Sequence, residues 1–419
     1  MRAVIIGDIG VSDEVIHVGD EAMFEQFVHQ MRKRGATQIT AISSHPAETA
    51  ARYNLDAIDR IMVASATGGT RDGMEQRMEL VLGAAAAIAT GLPSLLDSDD
   101  TALAVIDAIS YSDGVAVSGG GNIASTWPVH IFERATIGAI AAIFDKPFVI
   151  SGQTIGPFLT PEDAEVVADM LAAADLVGLR ESDSYDLTLS LGVDAGHLQK
   201  TIDDASFLGS DEDAAADTAA DAAAPSTVAP YCAVTLANHI NGIDRELFLT
   251  SMAALLDDIV ETTGLEIAFF AHFGSMDTTV SVGDTLVHEE VAARMTSTRK
   301  RTEPTTDNIP AAHFARGASL SVSSRYHPAV FAVSGGVPTI GISVDDYTTT
   351  KLTGALGNFG QRSVLPITDL VAGTGAGEAL VADVWAQRAD IRSAGEIIAR
   401  ENRVGSDAWW DRVAGVLKG

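Results

Sequence analysis

Ser323-Ser324-Arg325-Tyr326-His327-Pro328 decides how this chain is read, because it sets a fixed cation and a titratable imidazole between two apolar runs. Ala318-Ser319-Leu320-Ser321-Val322 before it is short and β-compatible. Pro328 suits the first turn of a helix, and Ala329-Val330-Phe331-Ala332-Val333 ends at Ser334-Gly335-Gly336. Val337-Pro338-Thr339-Ile340-Gly341-Ile342-Ser343-Val344 then reads as the next strand. The unit is strand, Arg-Tyr-His turn, helix, strand, and turns at the carboxyl ends of parallel strands are where α/β proteins bind ligands. For an isolated Arg-x-His the plainer reading carries more weight: an Arg paired with a surface carboxylate and a His closing a helix end. The company the motif keeps has to overturn it.

Working outward, the 419 residues alternate apolar runs with helical patterns throughout, which predicts an α/β chain of two domains. The first domain is expected over 1–209, an acidic, alanine-rich linker over 210–230, and the second domain over 231–385. Helices over 386–419 are expected to pack back on the first domain. The linker holds five acids and two prolines with almost no apolar bulk. No apolar run reaches the roughly eighteen residues of a membrane span, and Met1 opens directly onto the strand Ala3-Val4-Ile5-Ile6, so a cytoplasmic protein is expected. Cys232, the only cysteine, excludes an internal disulfide and a thiolate metal cluster. A net charge of -30, with 6 lysines among 27 basic residues, argues against bulk nucleic-acid or anionic-membrane binding. A small anion has to be caught by a few local cations.

Several turns lie where such a ligand would sit. Val18-Gly19-Asp20-Glu21-Ala22 opens a helix after the first strand, without the G-x-G-x-x-G of a dinucleotide site or the lysine of a P-loop. Glu21 reads as a first-turn carboxylate complementing the helix dipole. For Asp20 that reading and a role as a base are evenly matched. A buried strand ends in Ser118-Gly119-Gly120-Gly121-Asn122, and another in Gly152-Gln153-Thr154-Ile155-Gly156-Pro157; such glycine-rich turns let backbone amides approach an anion or a sugar. Leu176-Val177-Gly178-Leu179 delivers Arg180-Glu181-Ser182-Asp183-Ser184, where Arg180 is either a partner of Glu181 or Asp183 or a bidentate anion donor. Lys351 stands near the front of the helix after Val344, as apt for solvent as for a site. His239 and His272 each follow a strand, with no ligand spacing around them, and no metal site is expected. Trp385, Trp409 and Trp410 read as packing residues.

Taken in order, Gly19-Asp20-Glu21-Ala22, Ser118-Gly119-Gly120-Gly121, Gly152-Gln153-Thr154-Ile155-Gly156-Pro157, Arg180-Glu181-Ser182-Asp183-Ser184, Thr201-Ile202-Asp203-Asp204-Ala205-Ser206-Phe207 and Arg325-Tyr326-His327 resemble the polysaccharide pyruvyl transferase family. The resemblance spans nearly the whole chain. It implies a GT-B-like fold of two Rossmann-like domains facing across a cleft. The implied activity is transfer of pyruvate from phosphoenolpyruvate to a sugar of a cell-surface polysaccharide or its lipid-linked precursor, forming a ketal, with an enolpyruvyl ether as the other product of the class. No metal or cofactor beyond the phosphoenolpyruvate co-substrate is implied. Peripheral membrane contact stays open, and a nucleotide-sugar GT-B glycosyltransferase or a non-catalytic carbohydrate binder are the other readings. Residue by residue, the resemblance assigns Arg180, His327 and Lys351 to holding or protonating phosphoenolpyruvate and Asp20 to serving as base for the acceptor hydroxyl. Arg325 serves structure or the anion, and Gly120, Gly121, Asn122 and Gln153 line the substrate site. The chain departs from the pattern at Ala237-Asn238-His239, where many relatives carry an Arg.

The residue types suit that chemistry. Phosphoenolpyruvate carries about three negative charges, so converging Arg and Lys groups are needed to bind it on a protein of the same sign. Attack on carbon 2 needs a proton at carbon 3, and a histidine beside a phosphate dianion keeps one to give. A carboxylate within hydrogen-bond reach of the acceptor hydroxyl adds about 10²- to 10⁴-fold in rate.

Overall fold

The computed structural model describes residues 1–64, 68–210 and 229–419. The linker expected over 210–230 falls, except at its edges, outside the described residues. Among the described residues, sixteen strands run in chain order: β1 Arg2–Ile6, β2 Val15–His17, β3 Gln38–Ser43, β4 Asp56–Asp59, β5 Gly114–Val117, β6 Gly120–Ile123, β7 Phe148–Ile155 and β8 Leu176–Leu179, followed by β9 Leu198–Lys200, β10 Tyr231–Thr235, β11 Glu266–Phe269, β12 Phe273–Ser275, β13 Lys300–Thr302, β14 Leu320–Ser323, β15 Thr339–Ser343 and β16 Val364–Pro366. Contacts divide the chain into two units, one of Met1–Val11, Met23–Asp204 and Gly405–Gly419, the other of Ser12–Ala22 and Ala205–Val404.

The first unit is built on the parallel sheet β4-β3-β1-β5-β7-β8-β9, with β6 added to β7. Its strands are apolar on both faces because both faces are covered, and successive side chains of β1 show this. Val4 and Ile6 pack into a core with the helices over 71–89, 101–111, 128–143 and 161–172. Ala3 and Ile5 face the other core, shared with Phe24 and Phe27 of the helix Val18–Lys33 and with Trp409, Trp410 and Leu417 near the C-terminus. The Trp410 ring meets Phe27 edge-on at 5.2 Å. The chain ends as packing, as the tryptophans suggested.

The second unit carries the parallel sheet β13-β11-β10-β14-β15-β16 and a separate antiparallel pair, β12 with β2. From β10 the chain winds outward through β11 and β13, then returns to the other side of β10 with β14, β15 and β16. The strand order therefore reverses between β10 and β14, and a crevice opens at the carboxyl ends of such a pair. The same logic in the first unit puts the reversal between β1 and β5.

Three stretches differ from expectation: 205–209 and 386–404 group with the second unit, and so does the segment that carries Asp20. Asp20 was placed with the first domain, yet Ser12–Ala22 groups with the second unit. The cause is β2: Val15, Ile16 and His17 pair antiparallel with Ser275, Gly274 and Phe273, and the amide of Val18 donates to the carbonyl of His272 at 2.9 Å.

Candidate active site

The Arg-Tyr-His turn sits at the carboxyl end of β14, beside the point where the second unit's strand order reverses. Its shape is fixed locally. The Ser323 hydroxyl accepts from the amide of Arg325 at 3.0 Å and donates to its carbonyl at 2.7 Å. The Ser324 hydroxyl accepts from the amide of Ala237 at 2.7 Å, stitching the turn to the end of β10. The helix Tyr326–Ser334 starts with Arg325 at its N-cap and no side-chain cap bond. The head of this helix presents the positive end of its dipole.

Arg325 is committed to a carboxylate. Its Nε lies 3.0 Å and one Nη 2.6 Å from Oδ1 of Asp284, a fully buried side chain at the start of the helix Asp284–Arg294. The other oxygen of Asp284 accepts from the amides of His272 at 3.2 Å and Phe273 at 2.9 Å. Of the two roles left open for Arg325, structure or anion, the structural one is visible: it ties the β14 turn to the head of β12.

His327 and the segment that carries Asp20 come together in this unit. A Cβ built on Gly19 would stand 1.8 Å from Nδ1 of His327 and 2.5 Å from its Cγ. The imidazole therefore rests against the bare backbone of the residue preceding Asp20. Gly19 has an ordinary negative φ, so glycine is needed there for space, not conformation. Asp20 in turn has its Oδ2 3.1 Å from Nδ1 of His17, and the His17 ring packs on Phe273 with centroids 4.9 Å apart. Partial loss of water around the half-exposed His17 ring, with the Arg325 charge nearby, disfavours its cation. The hydrogen bond and charge of Asp20 outweigh that and hold its pKa above the ordinary histidine value.

Two more histidines complete the surroundings. His272 is buried, and neither ring nitrogen has a hydrogen-bond partner among the described residues. Burial, with His327, Arg325 and His17 nearby, keeps its pKa well below the usual range and the ring neutral. Both His272 and His327 contact Phe331, at 5.8 and 6.2 Å between centroids. His288 accepts from the amide of Leu236 through Nε2 at 2.9 Å, and burial brings its pKa down to about 4. Lys351 lies 4.8 Å from the Tyr326 ring, which itself meets His327 edge-on at 5.1 Å, and donates to the Tyr347 hydroxyl at 3.0 Å. His239, on the departing Ala237-Asn238-His239 turn, is mostly exposed and reaches Asp345 at 3.3 Å.

In the first unit the predicted residues form an internal network. Arg180 is 1% exposed, not open to an anion as expected from its place after β8. Its Nε donates to Thr154 at 2.8 Å and Glu181 at 3.0 Å, and Nη1 donates to Asp203 at 2.6 Å. The reading as an intramolecular partner of Glu181 prevails, with Asp203 in place of Asp183. Asp204 receives the amide of Gly119 at 3.0 Å and the hydroxyl of Ser151 at 2.8 Å, which pins both glycine-rich turns. Burial first, then the charge of Asp203, push Asp204 up to about 8. Gln153, also buried, donates to the carbonyl of Ser118 at 2.6 Å, and a Cβ on Gly120 would approach its amide to 3.0 Å. Gly121 lies in β6, and Asn122 donates to Asp8 at 2.9 Å. Asp8 is bound by Arg60 at 2.6 Å; despite burial, the His130, Arg134 and Arg60 charges hold its pKa below the carboxylate range.

Sequence reasoning missed His17, Phe273 and Asp284. His17 precedes the helix start at Val18, and only its spacing of three residues from Asp20 hinted at a pair. Among the described residues, no group of three or more His, Cys, Asp or Glu side chains is arranged to hold a metal ion, and no helix is long and apolar enough to cross a membrane.

Comparison with known proteins bears on the family and the fold. Residues 17–346 match the family described as polysaccharide pyruvyl transferase. No curated protein is matched by sequence. Among solved structures, the chain is similar to Arabidopsis thaliana UGT89C1 complexed with UDP-L-rhamnose, at TM-score 0.55 and 12% identity over 100% of this chain and 99% of that one. It is also similar to UDP-GlcNAc 2-epimerase from Neisseria meningitidis bound to UDP-GlcNAc, at TM-score 0.52 and 10% identity over 96% and 99% of the two chains. The UDP-GlcNAc 2-epimerase from Methanocaldococcus jannaschii gives TM-score 0.52 and 10% identity over 89% and 91%. At such identities the likeness is one of fold: two Rossmann-like domains of the GT-B kind.

Proposed function

The chain belongs to the polysaccharide pyruvyl transferase family, and we propose that it transfers pyruvate from phosphoenolpyruvate to a glycan or its lipid-linked precursor, closing a ketal across two hydroxyls and releasing phosphate. The observation that supports this reading is the seating of His327, read as the acid, against the backbone of Gly19, the residue before Asp20, which is read as the base.

In this reading His327 protonates carbon 3 of phosphoenolpyruvate as the acceptor oxygen bonds to carbon 2. The hydroxyl proton leaves toward Asp20. Phosphate then departs with its bonding pair, and the second hydroxyl closes on the same carbon. Lys351 and the positive end of the dipole of the helix Tyr326–Ser334 supply positive potential for the donor. Arg325 holds the turn through Asp284, and Arg180, enclosed by Glu181 and Asp203, shapes the first unit's turns. No step draws on a metal or nucleotide. Incubating purified protein with phosphoenolpyruvate and candidate sugars tests the reading: phosphate release that depends on the acceptor supports it. Turnover with a sugar nucleotide alone, or binding without turnover, overturns it.

A further inference from the structure

We infer that His17, held by Asp20, is the group that meets the acceptor hydroxyl, so that Asp20 acts through it as a positioning residue; the inference rests on the pyruvyl-transfer reading above. Three observations carry it. First, Asp20 Oδ2 faces His17 Nδ1 at 3.1 Å, and of the two side chains His17 is the more open, 49% exposed against 26%. A carboxylate on Nδ1 fixes the tautomer with the proton there and leaves Nε2 with its lone pair outward, the arrangement of a general base. Second, the imidazole is immobilised from the other side. Its ring packs on Phe273, whose backbone pairs with His17 across β2 and β12 and whose amide is tied to Asp284, itself clamped by Arg325. The element that fixes the Arg-Tyr-His turn therefore also fixes His17. Third, Gly19 lies between His17 and Asp20 in sequence and carries His327 against its backbone, which puts the acid and this base on one short segment. His17, His327 and Arg325 also share the electrostatic neighbourhood of His272.

The hydroxyl O–H bond breaks with its proton passing to Nε2 of His17, the oxygen's pair forms the bond to carbon 2, and the carbon 2–carbon 3 π pair takes the proton of His327. When phosphate leaves, the second hydroxyl gives its proton to His327, and His17 releases its own to solvent.

The test compares wild type, His17→Gln, His17→Phe, Asp20→Asn and the His17→Gln/Asp20→Asn double variant by acceptor-dependent phosphate release across pH. In parallel, the His17 ring is titrated by NMR in wild type and Asp20→Asn. His17→Gln and His17→Phe are expected to lower kcat by about 10²- to 10⁴-fold, with loss of the acid limb of the kcat/KM profile. His17→Phe keeps the packing on Phe273 but cannot take a proton, so its failure separates chemistry from folding. Asp20→Asn is expected to lower the His17 titration point and, in the His17→Gln background, to cost almost nothing more. A His17→Gln enzyme with wild-type kcat and acid limb overturns the inference, as does an Asp20→Asn loss that persists in full without His17. A wild type that releases no acceptor-dependent phosphate while its His17–Asp20 pair still titrates together sinks the pyruvyl-transfer reading itself, and this role with it.

Discussion

Gly19→Ala isolates the catalytic geometry from the stability of the fold. The added methyl would stand 1.8 Å from His327 Nδ1, 2.5 Å from Cγ and 2.6 Å from Cε1, where non-bonded carbon contacts settle at about 3.5 to 4.0 Å. The imidazole has to retreat by about 1.5 Å or more. A misplacement of about 1 Å costs about 10²-fold in rate, so kcat should fall at least that far, about 2.7 kcal/mol of barrier. Stability should move little. Gly19 is the second residue of the helix Val18–Lys33 with no positive φ, and alanine there gains up to about 1 kcal/mol of helix propensity against the cost of shifting one ring. The assay is acceptor-dependent phosphate release from phosphoenolpyruvate beside a thermal melt of the same preparation. A folded Gly19→Ala protein with wild-type kcat would refute the claim that His327 works from this seat.

His327→Ala should abolish turnover while phosphoenolpyruvate still binds in calorimetry, since the histidine is read as acid and not as the main anchor. Arg180→Ala should leave Glu181 and Asp203 as buried uncompensated charges and cost about 3 to 5 kcal/mol of stability, read as a lowered denaturant midpoint; an unchanged midpoint with weakened donor affinity would return Arg180 to the ligand. Asp204, pushed up to about 8, keeps in the folded state a proton that an unfolded aspartate gives up near pH 4, so its contribution makes stability fall as pH rises from about 4 to about 8. Asp204→Asn should flatten Tm against pH over that window, and an unaltered slope would remove Asp204 as its source.

The sequence made the β14 turn, the glycine-rich turns and the α/β rhythm legible because each is local: an apolar run of strand length, a glycine or proline stop, then a helical period. It did not reveal what pairs with what across distance. Arg180 and a ligand-facing arginine look alike until Asp203, on a later loop, closes over the guanidinium. Only the fold shows Asp284 clamping Arg325. Asp20 changed units because three residues before it, Val15-Ile16-His17, pair with Phe273-Gly274-Ser275 far along the chain, and so short a strand has no periodicity to announce it. His17 went unnoticed for the same reason.

The most direct measurement follows phosphoenolpyruvate labelled with ¹³C at carbon 3 through incubation with the protein and candidate glycans in deuterated water. The label should appear as a ketal methyl group on the glycan, carrying solvent hydrogen and matched by released phosphate. Label that stays in phosphoenolpyruvate, with turnover only when a sugar nucleotide is supplied, would contradict it.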